Sequence, residues 1–467
     1  MTQRVYIKTV GCQMNVLDSE MVIADLKRHG YTVVDSPEEA DCVLYNTCSV
    51  REHAEEKVYS ALGKVRQSKD SHPGKTIGVM GCMAQKDQEL IFKRAPYVDL
   101  VVGPGQLHTI PDLLDKVRNG DGRQMAISLN RKDDKQAVVA RSHETFDPLR
   151  DPSMRPTPFQ AYLRIQIGCD KFCTYCVVPN TRGPEQGRPP SQIVSEAAIL
   201  AEQGCREITL LGQTVNSYKY RDENSTTDMS SLLEMLHEVD GIDRIKFVTN
   251  YPKDMTERLL VTIRDLPKVS PYLHVPAQSG SDEVLKRMKR GYTIADYMEM
   301  FERIERILPE AAVSSDFIVG FCGETEEDFE KSVALVERCR FKNSFIFQYS
   351  VRPGTKASER FEDDIPREVK AERNHRLLDV QNRIAKEENA KLIGRDVQVL
   401  VEGPSKKASD PHAAVTQMTG RTHCDRIVVF DGNLRQAGQL LDVHVDDVSS
   451  HTLIGRVKTV DVVTIGL

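Results

Sequence analysis

The sequence lacks several features that would assign a function directly. No uninterrupted apolar run approaches the length of a membrane-spanning helix, and the first residues, MTQRVYIKTVGCQ, lack the apolar core and small-residue cleavage site of a signal peptide. Nothing in it resembles a hydrolytic triad or a phosphate-binding P-loop. The formal charge of -6 argues against a protein that binds polyanions over its whole surface, although a local basic groove is compatible with it. These absences predict a cytoplasmic protein without membrane contacts.

Length and cysteine content are the informative properties that remain. The 467 residues exceed what one hydrophobic core usually organises, so two or three domains are expected. Eleven cysteines are an odd number in a chain with no secretory signal. This count favours metal ligation or redox chemistry over a framework of disulfides.

The hydrophobic pattern divides the chain into three domains and a linker. Residues 1–125 alternate strand-like and helix-like runs, which predicts an α/β domain with a doubly wound parallel sheet. Residues 126–158 are charged, contain prolines and have no sustained periodicity, as in a linker. Residues 159–390 contain strand candidates separated mostly by helices, which predicts an open, partial (β/α)6 barrel followed by a long helix. Residues 391–467 form short β-rich runs typical of a small all-β barrel.

Three cysteines follow the first predicted strand of the partial barrel. Cys169, Cys173 and Cys176 have C-x-x-x-C-x-x-C spacing, which chance would produce in such a chain with an expectation of about 0.006. A structural zinc site would need a fourth ligand, but no histidine lies between His143 and His237. A [4Fe-4S] cluster held by three cysteines leaves one iron open to a substrate or cofactor. Zinc with a remote fourth ligand remains the alternative.

Three further cysteines share a position in the first domain. Cys12, Cys48 and Cys82 each lie within a few residues of the carboxyl end of a predicted parallel strand. Ligand sites of open α/β sheets form at that edge. We therefore expect these thiols to meet and to hold a second cluster, with three separate buried cysteines as the alternative.

The spacing of the barrel cysteines resembles the signature of the radical S-adenosylmethionine (SAM) enzymes. This resemblance implies that the amino and carboxylate groups of SAM bind the open iron and that reductive cleavage gives a 5′-deoxyadenosyl radical. It also implies a set of SAM contacts, for which ordinary turns and helix caps are the alternatives. These candidates are Tyr175, Gly212, Gln213, Gln278, Ser279, Gly320 and Glu324.

The strings GCQMN, NTCSVRE, CTYCVVP, LHVPAQSGSD and SVRPGT, in this order, resemble the radical SAM methylthiotransferases, most closely their MiaB-type tRNA branch. The resemblance covers nearly the whole chain and implies a C-terminal RNA-binding TRAM barrel. It implies transfer of a methylthio group to carbon 2 of a dimethylallyl-modified adenosine beside the anticodon, using SAM, two [4Fe-4S] clusters and an external electron donor. We expect a monomer that acts on the anticodon stem-loop of tRNA. The implied cluster ligands are Cys12, Cys48, Cys82, Cys169, Cys173 and Cys176.

Other readings of the same pattern remain open. Related branches of the family act on threonylcarbamoyl-adenosine in tRNA or on an aspartate of a ribosomal protein. A rival of another class is a non-catalytic iron-sulfur protein that binds RNA or transfers electrons. Release of 5′-deoxyadenosine from SAM would separate the enzymes from this rival.

Several residues depart from the family strings or lie outside them. Asn180 and Cys322 replace a usual tyrosine and proline, and His423 with Cys424 replaces a more basic turn in the last barrel. The five cysteines outside the two trios are expected to be structural; they are Cys42, Cys205, Cys322, Cys339 and Cys424. Four basic residues near predicted strand ends are candidates for contact with tRNA phosphates, with solvated charges as the alternative; they are Arg182, Arg188, Arg352 and Lys356.

Overall fold

The computed structural model describes residues 3–49, 52–127, 150–155, 157–223, 225–411 and 413–458. Most of the predicted linker lies outside these residues. The chain forms two compact units, of which the first contains residues 1–241 and 350–361 and the second contains 242–349 and 362–467. No described helix has the length and apolar character needed to cross a membrane.

A six-stranded sheet in the order β2-β1-β3-β4-β5-β6 opens the first unit. Every neighbouring pair in it is parallel, which confirms the predicted doubly wound sheet. All residues of β3 and β4 are buried, as expected for central strands covered on both faces. The strands are β1 Arg4–Val10, β2 Thr32–Val33, β3 Cys42–Thr47, β4 Thr76–Gly81, β5 Leu100–Val102 and β6 Gln124–Ala126.

Helices connect the strands of this sheet and begin close to the strand ends. They are α1 Gln13–Arg28, α2 Glu52–Ser71, α3 Cys82–Asp87, α4 Glu89–Arg94 and α5 Ile110–Arg118. The passage from β4 into α3 requires Gly81, whose φ of 94° is unfavourable for other residues. A Cβ atom at this position would also lie 2.5 Å from Oδ1 of Asn46. The sheet therefore delivers the start of α3 to its carboxyl edge in a fixed position.

The first unit also contains the beginning of the predicted partial barrel. Strand β7 (Gln160–Arg164) pairs in parallel with β10 (Glu207–Leu211), and β8 (Gln166–Ile167) pairs antiparallel with β9 (Gln186–Gly187) around the cysteine loop. A short hairpin follows, made of β11 (Lys219–Arg221) and β12 (Thr226–Asp228). The helices are α6 Val178–Thr181, α7 Pro190–Glu202 and α8 Met229–His237, together with a short helix Lys356–Arg360.

The second unit begins with the remaining strands of the predicted barrel, which are β13 Arg244–Phe247, β14 Tyr272–His274, β15 Ala312–Val319 and β16 Asn343–Gln348. With β7 and β10 they account for each predicted strand. Strands β14, β15 and β16 form a parallel sheet. The helices are α9 Glu257–Asp265, α10 Asp282–Met288, α11 Ile294–Ile307, α12 Glu326–Cys339 and α13 Arg367–Ala390.

A closed barrel in the order β17-β18-β19-β21-β20 completes the second unit and confirms the predicted C-terminal all-β domain. Closure leaves no unpaired sheet edge. Alternate side chains such as Val399, Val428 and Val443 fill its core. The strands are β17 Asp396–Pro404, β18 Thr416–Thr422, β19 Ile427–Gly432, β20 Leu440–Val448 and β21 Thr452–Val457.

Candidate functional site

Cys12, Cys48 and Cys82 meet at the carboxyl edge of the first sheet. They stand one or two residues beyond the ends of β1, β3 and β4, which are adjacent strands whose last residues are paired in register. Cys12 is the residue that precedes α1, and Cys82 is the first residue of α3. Topology therefore brings together three thiols that are widely separated in sequence, as predicted from the strand pattern.

Electrostatic interactions link these three thiols. A hydrogen bond with Cys48 is the main cause that lowers the pKa of Cys12 to about 6, and Arg182 contributes in the same direction. Burial raises the pKa of Cys82, an effect that Arg182 opposes. Cys48 and Cys82 are buried, whereas Cys12 is exposed. The three side chains thus form one site with an open side.

Two buried asparagines fix the loops that carry these thiols. Asn15 accepts a hydrogen bond from the Cys12 backbone N–H at 3.2 Å through Oδ1. Its Nδ2 donates to Oδ1 of Asn46 at 3.0 Å, and Asn46 returns a bond to the carbonyl of Asn15 at 2.7 Å. Both residues are fully buried. Sequence analysis did not assign them a role, although both lie within or beside the strings GCQMN and NTCSVRE.

The loop of Cys169, Cys173 and Cys176 is held by backbone contacts. The N–H of Cys169 donates to the carbonyl of Gly183 at 3.2 Å, and the N–H of Cys176 donates to the carbonyl of Cys173 at 3.1 Å. Gly168 precedes the first cysteine with a φ of 81°, and a Cβ there would lie 1.9 Å from a backbone oxygen. The chain therefore needs glycine at this point to turn into the loop.

Burial, with contributions from Cys173 and Glu185, raises the pKa of Cys169 to about 11. The interaction with Cys173 places these two thiols near each other. All three cysteines of the loop are half-buried, and backbone hydrogen bonds fix the loop that carries them.

The two trios suit clusters better than single metal ions. Within the described ranges, no three histidine, cysteine or acidic side chains are arranged to hold one metal ion. A [4Fe-4S] cluster makes a different demand, because each of its thiolate ligands binds a separate iron. The donor sets are made entirely of thiols, the soft ligands that iron-sulfur clusters select. The residues therefore fit such clusters.

Of the predicted SAM contacts, Tyr175, Gly212 and Gln213 lie in the first unit. Gln213 follows the end of β10, and its Oε1 atom is buried without a hydrogen-bond partner among the residues that the structure describes. An unsatisfied buried acceptor is costly, so it fits a ligand that brings a donor. The amino group of SAM, which the family resemblance places here, is such a donor.

Gln278, Ser279 and Gly320 lie in the second unit and adjoin β15. Gln278 adopts a φ of 72° and exchanges backbone hydrogen bonds with Asp316 and Ile318, at 2.8 and 2.9 Å. Ser279 is buried and accepts a hydrogen bond from the N–H of Ser281. Their assignment to SAM remains a prediction.

Gly320 and Glu324 interact with each other at the end of β15. The N–H of Gly320 donates to Oε1 of Glu324 at 3.0 Å, and Arg373 of α13 pairs with the same carboxylate at 2.9 Å. Glu324 therefore supports the backbone turn at Gly320. A direct contact of either residue with SAM remains a prediction.

An aromatic face on β16 escaped the sequence analysis. Phe345 and Phe347 are 48% and 36% exposed, and pairing in register puts them on the same face of the sheet as Asp316 and Ile318. The ring of His274 on β14 meets that of Phe345 edge-on at 6.1 Å. The alternation in NSFIFQ is the signal that could have identified this face.

Comparison with known proteins decides the family. Residues 4–103 match the family described as Uncharacterized protein family UPF0004, and residues 163–336 match the Radical SAM superfamily. The tRNA-2-methylthio-N(6)-dimethylallyladenosine synthase of Rhodopirellula baltica is 79% identical over 100% of this chain and 98% of its own length. The enzyme of the same name from Burkholderia ambifaria is 43% identical over 98% of both chains. The chain belongs to the family of these synthases.

Solved structures support the fold. The radical SAM methyltransferase TsrM from Kitasatospora setae has a TM-score of 0.56 and 13% identity, covering 76% of this chain and 75% of its own. As a member of the synthase family with a radical SAM domain, the chain is a radical SAM enzyme that uses SAM and [4Fe-4S] chemistry.

The structure corrects the prediction that Arg182 and Arg188 meet tRNA phosphates. Arg182 is 2% exposed and Arg188 is fully buried. Arg182 pairs with Asp18 at 2.7 Å, and Arg188 pairs with Glu196 at 2.6 Å. These charges are neutralised inside the first unit and are inaccessible to a nucleic acid. Arg352 is half-buried and Lys356 is exposed, and their contact with tRNA stays a prediction.

The departures from the family strings make ordinary contacts within their own units. The Nε2 atom of His423 lies 3.1 Å from the carbonyl oxygen of Val269, which holds the turn between β18 and β19 against the segment before β14. Asn180 donates to the carbonyl of Gly354 at 3.2 Å. Of the five cysteines expected to be structural, Cys424 is half-buried and the others are buried.

Proposed function

We propose that this enzyme adds a methylthio group to carbon 2 of the dimethylallyl-modified adenosine beside the anticodon of tRNA. The observation that carries the proposal is the assembly of Cys12, Cys48 and Cys82 in the same compact unit as the radical SAM cysteine loop. A radical SAM enzyme needs only one cluster to cleave SAM, so a second trio of thiols implies a second task. Sulfur delivery is the task that the names of the relatives require.

The residues of the first trio, Cys169, Cys173 and Cys176, would hold a cluster with one open iron. When bound there, the cluster and SAM supply the radical that removes a hydrogen atom from the substrate carbon. Gln213 would accept a hydrogen bond from the SAM amino group through its buried Oε1 atom. Tyr175, directly before Cys176, would pack near the adenine. These residues orient the cofactor and reduce its contact with water.

The residues of the second trio, Cys12, Cys48 and Cys82, would hold the sulfur-delivering cluster. Cys12 is the exposed member of the trio, so the site opens to the surface at this thiol. Asn15 and Asn46 keep the loops in place through their mutual hydrogen bonds. The protein thereby presents the cluster on the fixed edge of a sheet.

The aromatic face of β16 would receive the substrate base. Chemistry on a base requires its removal from the stack, and unpaired bases commonly bind on aromatic rings. Phe345 offers such a ring, and an apolar surface also suits a prenyl substituent. Gln278, a predicted SAM contact, is hydrogen-bonded through its backbone to Asp316 and Ile318 of β15, the strand that neighbours β16. We infer that the C-terminal barrel contributes further contacts to the anticodon stem-loop.

We infer in addition that the enzyme is a monomer that works in the cytoplasm, where tRNA is modified, and that an external protein supplies electrons. In the mass spectrometry of the following experiment, threonylcarbamoyl-adenosine as substrate would give a methylthio nucleoside of a different mass, and a ribosomal protein as substrate would give no methylthio nucleoside.

The test uses full-length protein reconstituted with iron and sulfide without oxygen. Two loaded clusters should give about eight irons per chain. The triple variant C12A/C48A/C82A should retain about half of this iron, cleave SAM to 5′-deoxyadenosine and produce no methylthio nucleoside by mass spectrometry. A matched control, C42A/C205A/C339A, changes three buried cysteines outside both trios and should keep the full iron content and the product. Full iron in the first variant would overturn the assignment of the second cluster.

A further inference from the structure

Arg182 joins the two candidate cluster sites. It directly follows α6 in the loop that begins with Cys169, Cys173 and Cys176, and α6 packs against α3, which begins at Cys82. Its side chain thus extends from the radical SAM loop to a thiol of the N-terminal trio. Both sites and this residue belong to the first unit.

The guanidinium of Arg182 has two partners. Its Nε atom donates to Sγ of Cys82 at 3.3 Å. Its Nη2 and Nη1 atoms donate to the two carboxylate oxygens of Asp18 on α1, at 2.7 and 3.4 Å. The side chains of Arg182 and Asp18 are 2% and 0% exposed. These two parallel hydrogen bonds from the guanidinium fork to the carboxylate fix the orientation of the Nε–H group that points at the sulfur.

A permanently charged donor beside a ligating sulfur affects the cluster that the sulfur holds. Hydrogen bonds to cluster sulfurs are among the properties that set the reduction potential. The positive charge and the N–H group stabilise the reduced cluster, which carries more negative charge, and therefore raise its potential. Asp18 opposes part of this effect through its own charge, and it keeps Arg182 in position.

We propose that Arg182 is a positioning residue that raises the reduction potential of the N-terminal cluster and fixes Cys82 relative to the radical SAM loop. The proposal rests on the assignment of Cys12, Cys48 and Cys82 as cluster ligands. It assigns a role to a residue that is neither a candidate cluster ligand nor a predicted SAM contact. It also explains why a charge pair is buried here, since uncompensated burial of either partner would be costly.

The first unit contains a second arginine, Arg155, whose partners are of the same two kinds as those of Arg182. Arg155 is buried, donates to Glu20 at 3.1 Å through Nε and to Sγ of Cys205 at 3.1 Å through Nη1. It has the same combination of a carboxylate and a cysteine sulfur as partners, but Cys205 belongs to neither trio. The pair Arg155 and Glu20 therefore controls for the loss of a buried ion pair as such.

The test measures the reduction potential of the N-terminal cluster alone. The parent is the full chain with Cys169, Cys173 and Cys176 replaced by alanine, and its cluster is titrated electrochemically while the reduced form is followed by electron paramagnetic resonance. D18N removes the opposing charge and should shift the potential upward. R182Q/D18N removes the donor as well and should shift it below that of the parent. R182K keeps the charge without the fork and should give a smaller downward shift.

The control R155Q/E20Q should leave the potential unchanged. Opposite shifts for D18N and R182Q/D18N are the expected result, and the downward shift is the decisive one, because loss of the whole ion pair would leave the potential unchanged in a folded, loaded protein if Arg182 were purely structural. If R182Q/D18N loads no iron, the downward shift of R182K decides the question. Unchanged potentials would overturn the role of Arg182 while leaving the proposed function intact. A parent without any cluster would instead overturn the ligand assignment and this role together.

Discussion

Replacement of Asp425 by asparagine should weaken the attachment of the C-terminal barrel within the second unit. Asp425 lies in the turn between β18 and β19, and its carboxylate contacts Lys246 at 3.0 Å, Lys342 at 3.6 Å and Arg421 at 3.1 Å. Lys246 lies on β13 and Lys342 directly precedes β16, so both lysines come from outside the C-terminal barrel. One carboxylate, whose side chain is 19% exposed, therefore pairs with cations from the barrel and from the rest of the second unit.

The size of the expected loss of stability follows from the lowered pKa of the Asp425 carboxyl group. Burial would raise the pKa of Asp425, but the three cations outweigh it and lower the pKa from 3.8 to about 2. At 1.36 kcal/mol per pKa unit, the shift corresponds to about 2.5 kcal/mol of stabilisation by the ionised form. Loss of one partner of a buried pair costs roughly 3–5 kcal/mol in other proteins, which agrees in order of magnitude. Because the folded-state pKa is lowered, this contribution is present above pH 3.8 and is lost as the pH falls through about 2.

Asparagine isolates the effect of the charge. Residue 425 has a φ of 61°, and asparagine tolerates this left-handed conformation as well as aspartate does. Hydrogen exchange of the amides of β18 and β19, followed by mass spectrometry at neutral pH, reports local opening of this region. A loss of 2.5 kcal/mol should accelerate their exchange roughly 60-fold.

The matched control is D431N, which removes an exposed carboxylate from β19. It should change the exchange of the same amides by less than about twofold, since isolated surface charges contribute little. If D425N and D431N gave the same exchange rates, the cluster of Lys246, Lys342 and Asp425 would not hold the barrel, and the electrostatic reasoning would be refuted.

Two further predictions concern the same unit. Burial lowers the pKa of Lys342 from 10.5 to about 8, although Asp425 opposes the shift. Because the folded protein favours the neutral amine, the contribution of Lys342 to stability is present above pH 10.5 and is lost as the pH falls through 8. The free energy of unfolding of wild type relative to K342M should therefore rise by roughly 2 kcal/mol between about pH 7.5 and about pH 9.5, and a flat difference would contradict the lowered pKa. F345A should lower methylthiolation roughly 5- to 150-fold by loss of base stacking and leave SAM cleavage unchanged, whereas F345Y should restore the product; equal loss in both variants would argue against stacking.

The meeting of the three N-terminal cysteines was predictable because it depends on strand ends. A parallel sheet puts the carboxyl ends of its strands at one edge, so the positions of Cys12, Cys48 and Cys82 in the pattern determined that they would meet. Glycines at 81 and 168 enforce the local turns, and their need can be read from the passage of a strand into a loop. The order of domains followed from periodicity in the same way.

The role of Arg182 was not predictable from local pattern. Its partner Asp18 is separated from it by 164 residues, and both appear in sequence as ordinary charged residues. Whether a charge is solvated or buried depends on which other element covers it, and a single sequence does not contain that information. For the same reason, the sequence did not reveal that Arg188 is buried against Glu196 or that His423 contacts Val269.

The division of the candidate residues between the two units gives the experiments their discriminating power. The six candidate ligands and Arg182 belong to the first unit, whereas Phe345 and Asp425 belong to the second. A substitution in the second unit that affects substrate handling should therefore leave iron content and reduction potentials unchanged, because it removes no ligand and no donor to one. If F345A lost iron together with product, its defect would come from general destabilisation, and the aromatic face could not be credited with binding the base. Iron content is thus the measurement that decides how every loss of methylthiolation should be interpreted.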